Sequence, residues 1–224
     1  MSAPETGAAC GRPLRRWITR TEAGTERLGA ELAAELGPDG LLLLSGELGS
    51  GKTVLARGLA GALGIDPRQV LSPSFNLIRE HGGRAGRMVH VDLYRLAPEE
   101  VGGLGLEEVL AGPGVKVVEW AERLPAPLAA SLDTGVKSLD PGVMGAGGAV
   151  PPGAPAPVLA LRLRRLPEAG GEAREIVETA PDSLAASLDT GVKSLDPGVM
   201  GAGGAVPASA LVQATTTKGR EELP

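Results

Sequence analysis

The chain has 224 residues, of which 22 are Lys or Arg and 27 are Asp or Glu, so its formal net charge is −5. This length predicts one main domain. No basic run is long enough to bind RNA or DNA tightly without help, and no segment has the apolar length of a signal peptide or a membrane span. The single cysteine, Cys10, excludes an intrachain disulfide and a cysteine metal site, and it favours the reducing cytoplasm.

The first part of the chain is predicted to alternate helices and strands. Residues 1–13 are small and polar and are expected to form a disordered tail. A helix begins after Thr21, whose hydroxyl suits an N-cap, and ends at Gly37. The apolar run Leu41–Leu44 predicts a buried strand. A glycine-rich loop then leads into a second helix, from about Lys52 to Leu63.

Further strands follow the second helix. The pattern predicts strands at Ser72–Glu80, Met88–Leu96 and Val115–Trp120, with a weak helix at Pro98–Leu110. A late pair of strands, 158–166 and 174–179, is typical of a hairpin at one edge of a sheet. The alternation of strands and helices predicts an α/β fold with a mostly parallel central sheet, flanked by helices and completed by this C-terminal edge hairpin.

One segment of 24 residues, LAASLDTGVKSLDPGVMGAGGAVP, occurs at 128–151 and again, without one change, at 184–207. Its glycines, prolines and small residues bury too little apolar surface to offset the entropy of ordering, so we expect loop or disorder in both copies. A docking peptide is the alternative. The expected organisation is a core at 14–127, a disordered insertion at 128–157, a hairpin at 158–181 that completes the core, and a disordered tail at 182–224.

The segment GELGSGKT has the spacing of a phosphate-binding loop, G-x-x-x-x-G-K-[ST]. Its glycines let successive backbone N–H groups point at phosphate oxygens, and the helix that follows adds the positive end of its dipole. Lys52 can bind the β- and γ-phosphates, and the Thr53 hydroxyl can bind Mg²⁺. The pattern therefore predicts a P-loop NTPase. Its predicted nucleotide-binding residues are Gly46, Glu47, Leu48, Gly49, Ser50, Gly51, Lys52, Thr53 and Val54.

Two acids, Asp92 and Glu119, each follow an apolar run at the end of a predicted strand, so both are expected in the crevice at the carboxyl ends of the sheet. There they could bind Mg²⁺ or position the attacking water. The alternative for each is an ordinary solvated acid. Ser72 and Ser74 fit either a mobile switch that carries a hydroxyl toward the γ-phosphate or an ordinary turn. His90 is expected to be a buried strand residue rather than a ligand.

The bound nucleotide is expected to be ATP. Guanine recognition by GTPases generally needs an Asn-Lys-x-Asp segment, and the one asparagine, Asn76, lies outside such a context. The sequence also lacks the arginine-rich lid of small-molecule kinases and the Ser-Gly-Gly signature of ABC-type ATPases. Three functions are compatible with the residues: a hydrolytic ATPase, a small ATP-dependent metabolite kinase, and a nucleotide switch whose binding matters more than its hydrolysis.

Four motifs, GELGSGKT, SPSFNL, HVDLYRL and VEWAERLP, closely resemble the TsaE (YjeE) family in order and spacing. The resemblance runs from about Thr21 to Pro125 and resumes at 158–180. It implies a cytoplasmic ATPase that works with TsaB and TsaD proteins and reaches tRNA only through them. In that family, ATP hydrolysis supports turnover of the complex that makes threonylcarbamoyladenosine at position 37 of tRNA.

The resemblance also implies roles for individual residues. Lys52 and Thr53 would be the phosphate and magnesium groups, Asp92 the Walker B-type acid, Glu119 a magnesium or catalytic acid, and Ser74 the switch hydroxyl.

The chain departs from the family at three places. Ser74 stands where the family usually has Thr, which keeps the hydroxyl. Val54 replaces a second Thr and removes one side-chain contact to phosphate. The family lacks a segment like 128–151. A long surface insertion costs little closure entropy, so the fold is expected to tolerate it.

Overall fold

The computed structural model describes residues 14–133, 156–169 and 172–181. Seven strands in these ranges form one sheet. They are β1 Arg16–Thr19, β2 Leu41–Ser45, β3 Ile78–Gly82, β4 Arg87–Asp92, β5 Val115–Glu119, β6 Val158–Arg165 and β7 Arg174–Thr179. The α-helices are α1 Glu22–Leu36, α2 Lys52–Ala62, α3 Pro98–Val101, α4 Leu106–Ala111 and α5 Ala126–Asp133.

The strands follow the order β1-β7-β6-β2-β5-β4-β3 across the sheet. The four central strands, β6, β2, β5 and β4, are parallel. The outer strands are antiparallel to their neighbours. This arrangement confirms the predicted α/β fold with a mostly parallel central sheet and a late hairpin, β6–β7. The unpredicted strand β1 pairs with β7, so it forms the sheet edge beyond the hairpin.

Three predicted elements are shorter or divided in the structure. The strand predicted at Ser72–Glu80 begins only at Ile78, because a turn precedes it and Leu77 has a left-handed φ of 61°. The strand predicted at Met88–Leu96 ends at Asp92. The helix predicted at Pro98–Leu110 is two short helices, α3 and α4, because Gly105 has a left-handed φ of 64°.

The first copy of the repeat begins inside helix α5. We predicted loop or disorder from residue 128 onward, but residues 128–133 are helical. The prediction was wrong there because Leu128 and Ala129 are buried against the core, which supplies the apolar contacts that the rest of the repeat lacks. The remainder of that copy, the whole second copy and the predicted tails 1–13 and 182–224 lie outside the described residues.

The core lies on both faces of the sheet. The leucines of β2 alternate between the two faces, which explains a strand that is apolar at four successive positions. Helices α1 and α2 cover one face, and α3, α4 and α5 cover the other. In the described part of the chain, no helix is long and apolar enough to cross a membrane.

Candidate nucleotide-binding site

The phosphate loop connects β2 to α2 at the carboxyl end of the central strand. Gly46 and Gly51 have left-handed φ angles of 130° and 102°. A Cβ atom at Gly46 would lie 2.0 Å from the carbonyl oxygen of Leu163, so no side chain fits there. Gly51 is the N-cap of α2 and provides no side-chain cap, which leaves the first backbone N–H groups of the helix for an anion.

The side chain of Lys52 is folded onto the loop. Its Nζ donates hydrogen bonds to the carbonyl oxygens of Gly46 at 2.6 Å and of Glu47 at 2.9 Å. It also lies 3.9 Å from the centroid of the Trp120 ring, a cation–π contact. Burial lowers the pKa of Lys52 from its ordinary value, although nearby acids, Glu119 first among them, act in the opposite direction. A phosphate group in the loop would supply an anionic partner directly.

The two predicted acids end neighbouring parallel strands and face each other in register, Asp92 on β4 and Glu119 on β5. Both are buried. Thr53 Oγ1 donates to Glu119 Oε2 at 3.0 Å, which joins this acid to the phosphate loop. The other oxygen, Glu119 Oε1, lies 2.8 Å from His90 Nε2. His90 is fully buried, as predicted, but the sequence did not predict its contact with Glu119.

Asp92 is held by the segment predicted as a switch or turn. Ser74 Oγ donates to Asp92 Oδ2 at 2.6 Å, and Ser72 Oγ donates to the same oxygen. The other oxygen of Asp92 accepts a hydrogen bond from the backbone N–H of Tyr94 at 2.8 Å. The segment is therefore a turn that places two hydroxyls on the acid, and its role as a switch stays a prediction.

These residues surround a cleft of about 430 Å³. Most of the sequence-predicted site residues line it: Leu48, Gly49, Gly51, Lys52, Thr53, Val54, Ser74, Asp92 and Glu119. Gly46, Glu47 and Ser50 belong to the loop but do not line the cleft; the first two hold Lys52 through their carbonyl oxygens.

The cleft also contains residues outside the predicted set. Trp120 follows Glu119 directly, has a left-handed φ of 60° and packs 4.8 Å from the ring of Tyr94. Glu22 and Arg174 also line the cleft. No motif contains these last two residues, because they come from elements far apart in the chain, and only the fold brings them to the phosphate loop.

The available ligands suit a magnesium nucleotide. Within the described residues, no group of three or more His, Cys, Asp and Glu side chains could hold a metal alone. The loop instead offers a hydroxyl, Thr53, next to two carboxylates, Glu119 and Asp92. Such hard oxygen ligands fit Mg²⁺, which commonly keeps several waters and takes other ligands from phosphate oxygens.

The family model described as "Threonylcarbamoyl adenosine biosynthesis protein TsaE" matches residues 19–140. This chain belongs to the TsaE family. The match confirms the resemblance that the four motifs predicted, and it includes the phosphate loop and both acids.

Relatives named "tRNA threonylcarbamoyladenosine biosynthesis protein TsaE" also match this chain. The protein of Nostoc sp. is 42% identical over 105 residues, which cover 45% of this chain and 64% of the relative. That of Rickettsia bellii is 37% identical over 128 residues, 55% of this chain and 86% of the relative. That of Bacillus subtilis is 40% identical over 114 residues, 49% of this chain and 71% of the relative.

Among solved structures, the crystal structure of YdiB from Bacillus subtilis is 28% identical to this chain. Its TM-score is 0.48, and the match covers 76% of this chain and 88% of YdiB.

Proposed function

We propose that this chain is a Mg²⁺-dependent ATPase that supports threonylcarbamoyladenosine modification of tRNA. The observation that carries the proposal is the hydrogen bond of 3.0 Å between Thr53 and Glu119, which places a carboxylate directly beside the end of the phosphate loop. The modification pathway is inferred from the names of the relatives in the TsaE family. The single cysteine is consistent with action in the reducing cytoplasm.

Binding would begin at the loop. The backbone N–H groups at the start of α2 would bind the phosphates, and Lys52 would exchange its carbonyl partners at Gly46 and Glu47 for phosphate oxygens. Thr53 and Asp92 would hold Mg²⁺, partly through water. When bound, Mg²⁺ supplies positive charge that neutralises the phosphates.

Hydrolysis would depend on Glu119. Its carboxylate is oriented by Thr53 on one oxygen and by His90 on the other, so it can accept a hydrogen bond from an attacking water at a fixed position. Ser74 donates a hydrogen bond to Asp92 from the turn that precedes β3. This position suits a switch that responds to the γ-phosphate.

The proposed partners are TsaB- and TsaD-type proteins, with tRNA reached through them. Two large apolar side chains at the cleft, Leu48 and Phe75, are 72% and 85% exposed. In the proposed complex, a partner protein would cover these two side chains. Hydrolysis in this chain would then drive turnover of the partner complex.

An ATPase assay with and without purified TsaB and TsaD tests the proposal. We expect phosphate release that the partners stimulate and that Lys52→Ala abolishes. Lys116→Ala is the matched control: Lys116 is also a buried lysine that bonds carbonyl oxygens, but it lies outside the cleft. Absence of both stimulation and co-purification would contradict the proposal, and transfer of labelled γ-phosphate to a metabolite would favour a kinase.

A further inference from the structure

Four cationic side chains line the cleft around the phosphate loop: Lys52, Arg57, Arg95 and Arg174. Three of them already bond carbonyl oxygens of the protein. Lys52 bonds two in the loop, and Arg57 Nε donates to that of Val70 at 3.1 Å. Arg174 Nη1 donates to another at 2.8 Å. Among the described residues, the guanidinium of Arg95 has no hydrogen-bond or ion-pair partner, so its donors are available to a ligand.

Arg95 follows the end of β4 by three residues, on the side of the cleft where β4 and β5 end. Asp92 ends β4, and Glu119 ends β5 beside the hydroxyl of Thr53. Mg²⁺ and the terminal phosphate of a triphosphate would lie on this side, because the proposed metal ligands are there. Arg95 is therefore a further cation where the triphosphate carries most of its negative charge.

The guanidinium of Arg95 is packed on an exposed aromatic ring. Its Cζ atom lies 4.2 Å from the ring centroid of Phe75, which is a cation–π contact. Both side chains are exposed. A cation–π contact at an exposed site is weak, whereas a hydrogen bond from arginine to a phosphate oxygen is charge-assisted and can be bidentate. A terminal phosphate within reach would therefore replace the ring as the partner of Arg95.

Phe75 belongs to the turn whose serines hold Asp92. The backbone N–H of Leu77 donates to the carbonyl oxygen of Pro73 at 2.7 Å, which closes the turn around Phe75. Two kinds of contact thus join the turn to the end of β4: serine hydroxyls on Asp92, and the ring of Phe75 on Arg95. Loss of the ring contact would leave Phe75 without its partner from β4.

We propose that Arg95 senses the terminal phosphate of the nucleotide. It binds that phosphate in the triphosphate state and returns to the ring of Phe75 in the diphosphate state. Phe75 is one of the two exposed apolar side chains that a partner protein is proposed to cover. The surface offered to the partner then depends on which nucleotide is bound. This inference rests on the proposed function, since it assumes a magnesium nucleotide in the phosphate loop.

Fluorine NMR tests the exchange directly. Phe75 is the single phenylalanine of the chain, so protein labelled with 4-fluorophenylalanine gives one resonance, which reports on the turn. We expect this resonance to shift when the non-hydrolysable β,γ-imido analogue of ATP replaces ADP in the presence of Mg²⁺. In Arg95→Gln the two nucleotides should give the same resonance. The matched control is Arg84→Gln, which changes an exposed arginine between β3 and β4 outside the cleft and should keep the shift.

Calorimetry with the same two nucleotides measures the contact with the phosphate. Arg95→Gln should weaken binding of the analogue by about tenfold and leave ADP within about twofold, because ADP lacks the terminal phosphate. Arg95→Lys keeps the charge and should lose less. In Phe75→Leu the guanidinium has no ring to leave, so the analogue should bind about two- to fivefold more tightly, with ADP unchanged.

The outcomes separate this inference from the proposed function. Absence of the shift in the unmodified protein, its persistence in Arg95→Gln, or an equal loss of analogue and ADP binding in that variant would each overturn the sensor role. In all three cases, the unmodified protein would still bind the analogue, and the proposed function would stand. An unmodified protein that binds neither nucleotide would overturn both. Thermal unfolding checks that each variant is folded, and exposure of both side chains favours this.

Discussion

The phosphate loop lies between an acid side, with Glu119 and Asp92, and a hairpin side, with Arg174 and Glu22. The two sides differ in the hydrogen bonds of their polar groups. On the acid side, each carboxylate is held by neighbouring side chains: Glu119 by Thr53 and His90, and Asp92 by two serine hydroxyls. On the hairpin side, Arg174 keeps a buried Nε donor without a partner. The carboxylates of the acid side are thus held by the protein itself, although His90 Nδ1, beside Glu119, is buried without a partner, as is Arg174 Nε on the hairpin side.

The largest expected effect is on the rate of ATP hydrolysis, when the carboxylate of Glu119 on the acid side is removed. Because an amide cannot accept a proton from water, Glu119→Gln should lower the rate of ATP hydrolysis by about 100-fold or more. ADP affinity should change by less than about threefold, since Lys52 and the backbone N–H groups that would bind the phosphates are unchanged. Phosphate release and calorimetry measure the two quantities.

The control for this variant is Glu107→Gln, which changes an exposed acid of α4 that does not line the cleft. It should keep both hydrolysis and binding. Unchanged hydrolysis in Glu119→Gln would show that Glu119 has no catalytic role. If partner function also survived without hydrolysis, the chain would act as a nucleotide switch.

A second prediction concerns the hairpin side. Helix α1, which carries Glu22, packs against α2, and a substitution that separates these helices should loosen that side. The helices meet at Gly58, where an added Cβ atom would lie 1.8 Å from the carbonyl oxygen of Glu26. Although alanine is the better helix former, Gly58→Ala should reduce the free energy of unfolding by about 1–3 kcal/mol, because the helices must separate. Denaturant unfolding measures this change.

Gly61→Ala is the matched control for Gly58→Ala. Gly61 lies on the same helix, but a Cβ atom there would come no closer than 3.5 Å to Pro67 Cγ. This substitution should raise the free energy of unfolding by about 0.5–1 kcal/mol. Equal effects of the two substitutions would contradict a close contact between α1 and α2.

A third prediction separates the orientation of Glu119 from its chemistry. His90 is fully buried, and its Nε2 lies 2.8 Å from Glu119 Oε1. His90→Phe removes this partner and should lower hydrolysis by about tenfold, as loss of a supporting hydrogen bond commonly does. His90→Gln keeps a donor and should retain more activity. Equal activity of the two variants would show that the side chain only fills space.

Much of the fold was predictable because the sequence patterns are local. The apolar run of β2, the glycines of the phosphate loop and the N-cap at Thr21 each determine structure from neighbouring residues. The hydroxyl of Thr21 does accept a hydrogen bond from the backbone N–H of Gly24. The acids were predictable for a similar reason, since the end of a parallel strand places a side chain at a known edge of the sheet.

The features that were missed depend on contacts between distant residues. Strand β1 has only four residues, and it forms because β7 offers an unpaired edge. The helical start of the repeat at Leu128 depends on burial against the core rather than on composition. Arg174 and Glu22 come together only when the hairpin and α1 reach the same edge, so no spacing in the sequence could reveal the pair.

A further expected effect is a loss of stability in mild acid next to the acid side. His81 on β3 has its ring centroid 6.4 Å from that of His90, and burial, together with the charges of His90 and Arg79, lowers the pKa of His81 from 6.5 to about 4. Between pH 4 and pH 6.5, His81 therefore carries a proton in the unfolded chain but not in the folded protein. The stabilising contribution of neutral His81 is complete above pH 6.5 and is lost as the pH falls toward 4. Unfolding measured at several pH values in this window should show a flatter dependence in His81→Gln than in the unmodified protein. The same slope in both proteins would assign the acid sensitivity to other groups and leave the acid side independent of His81.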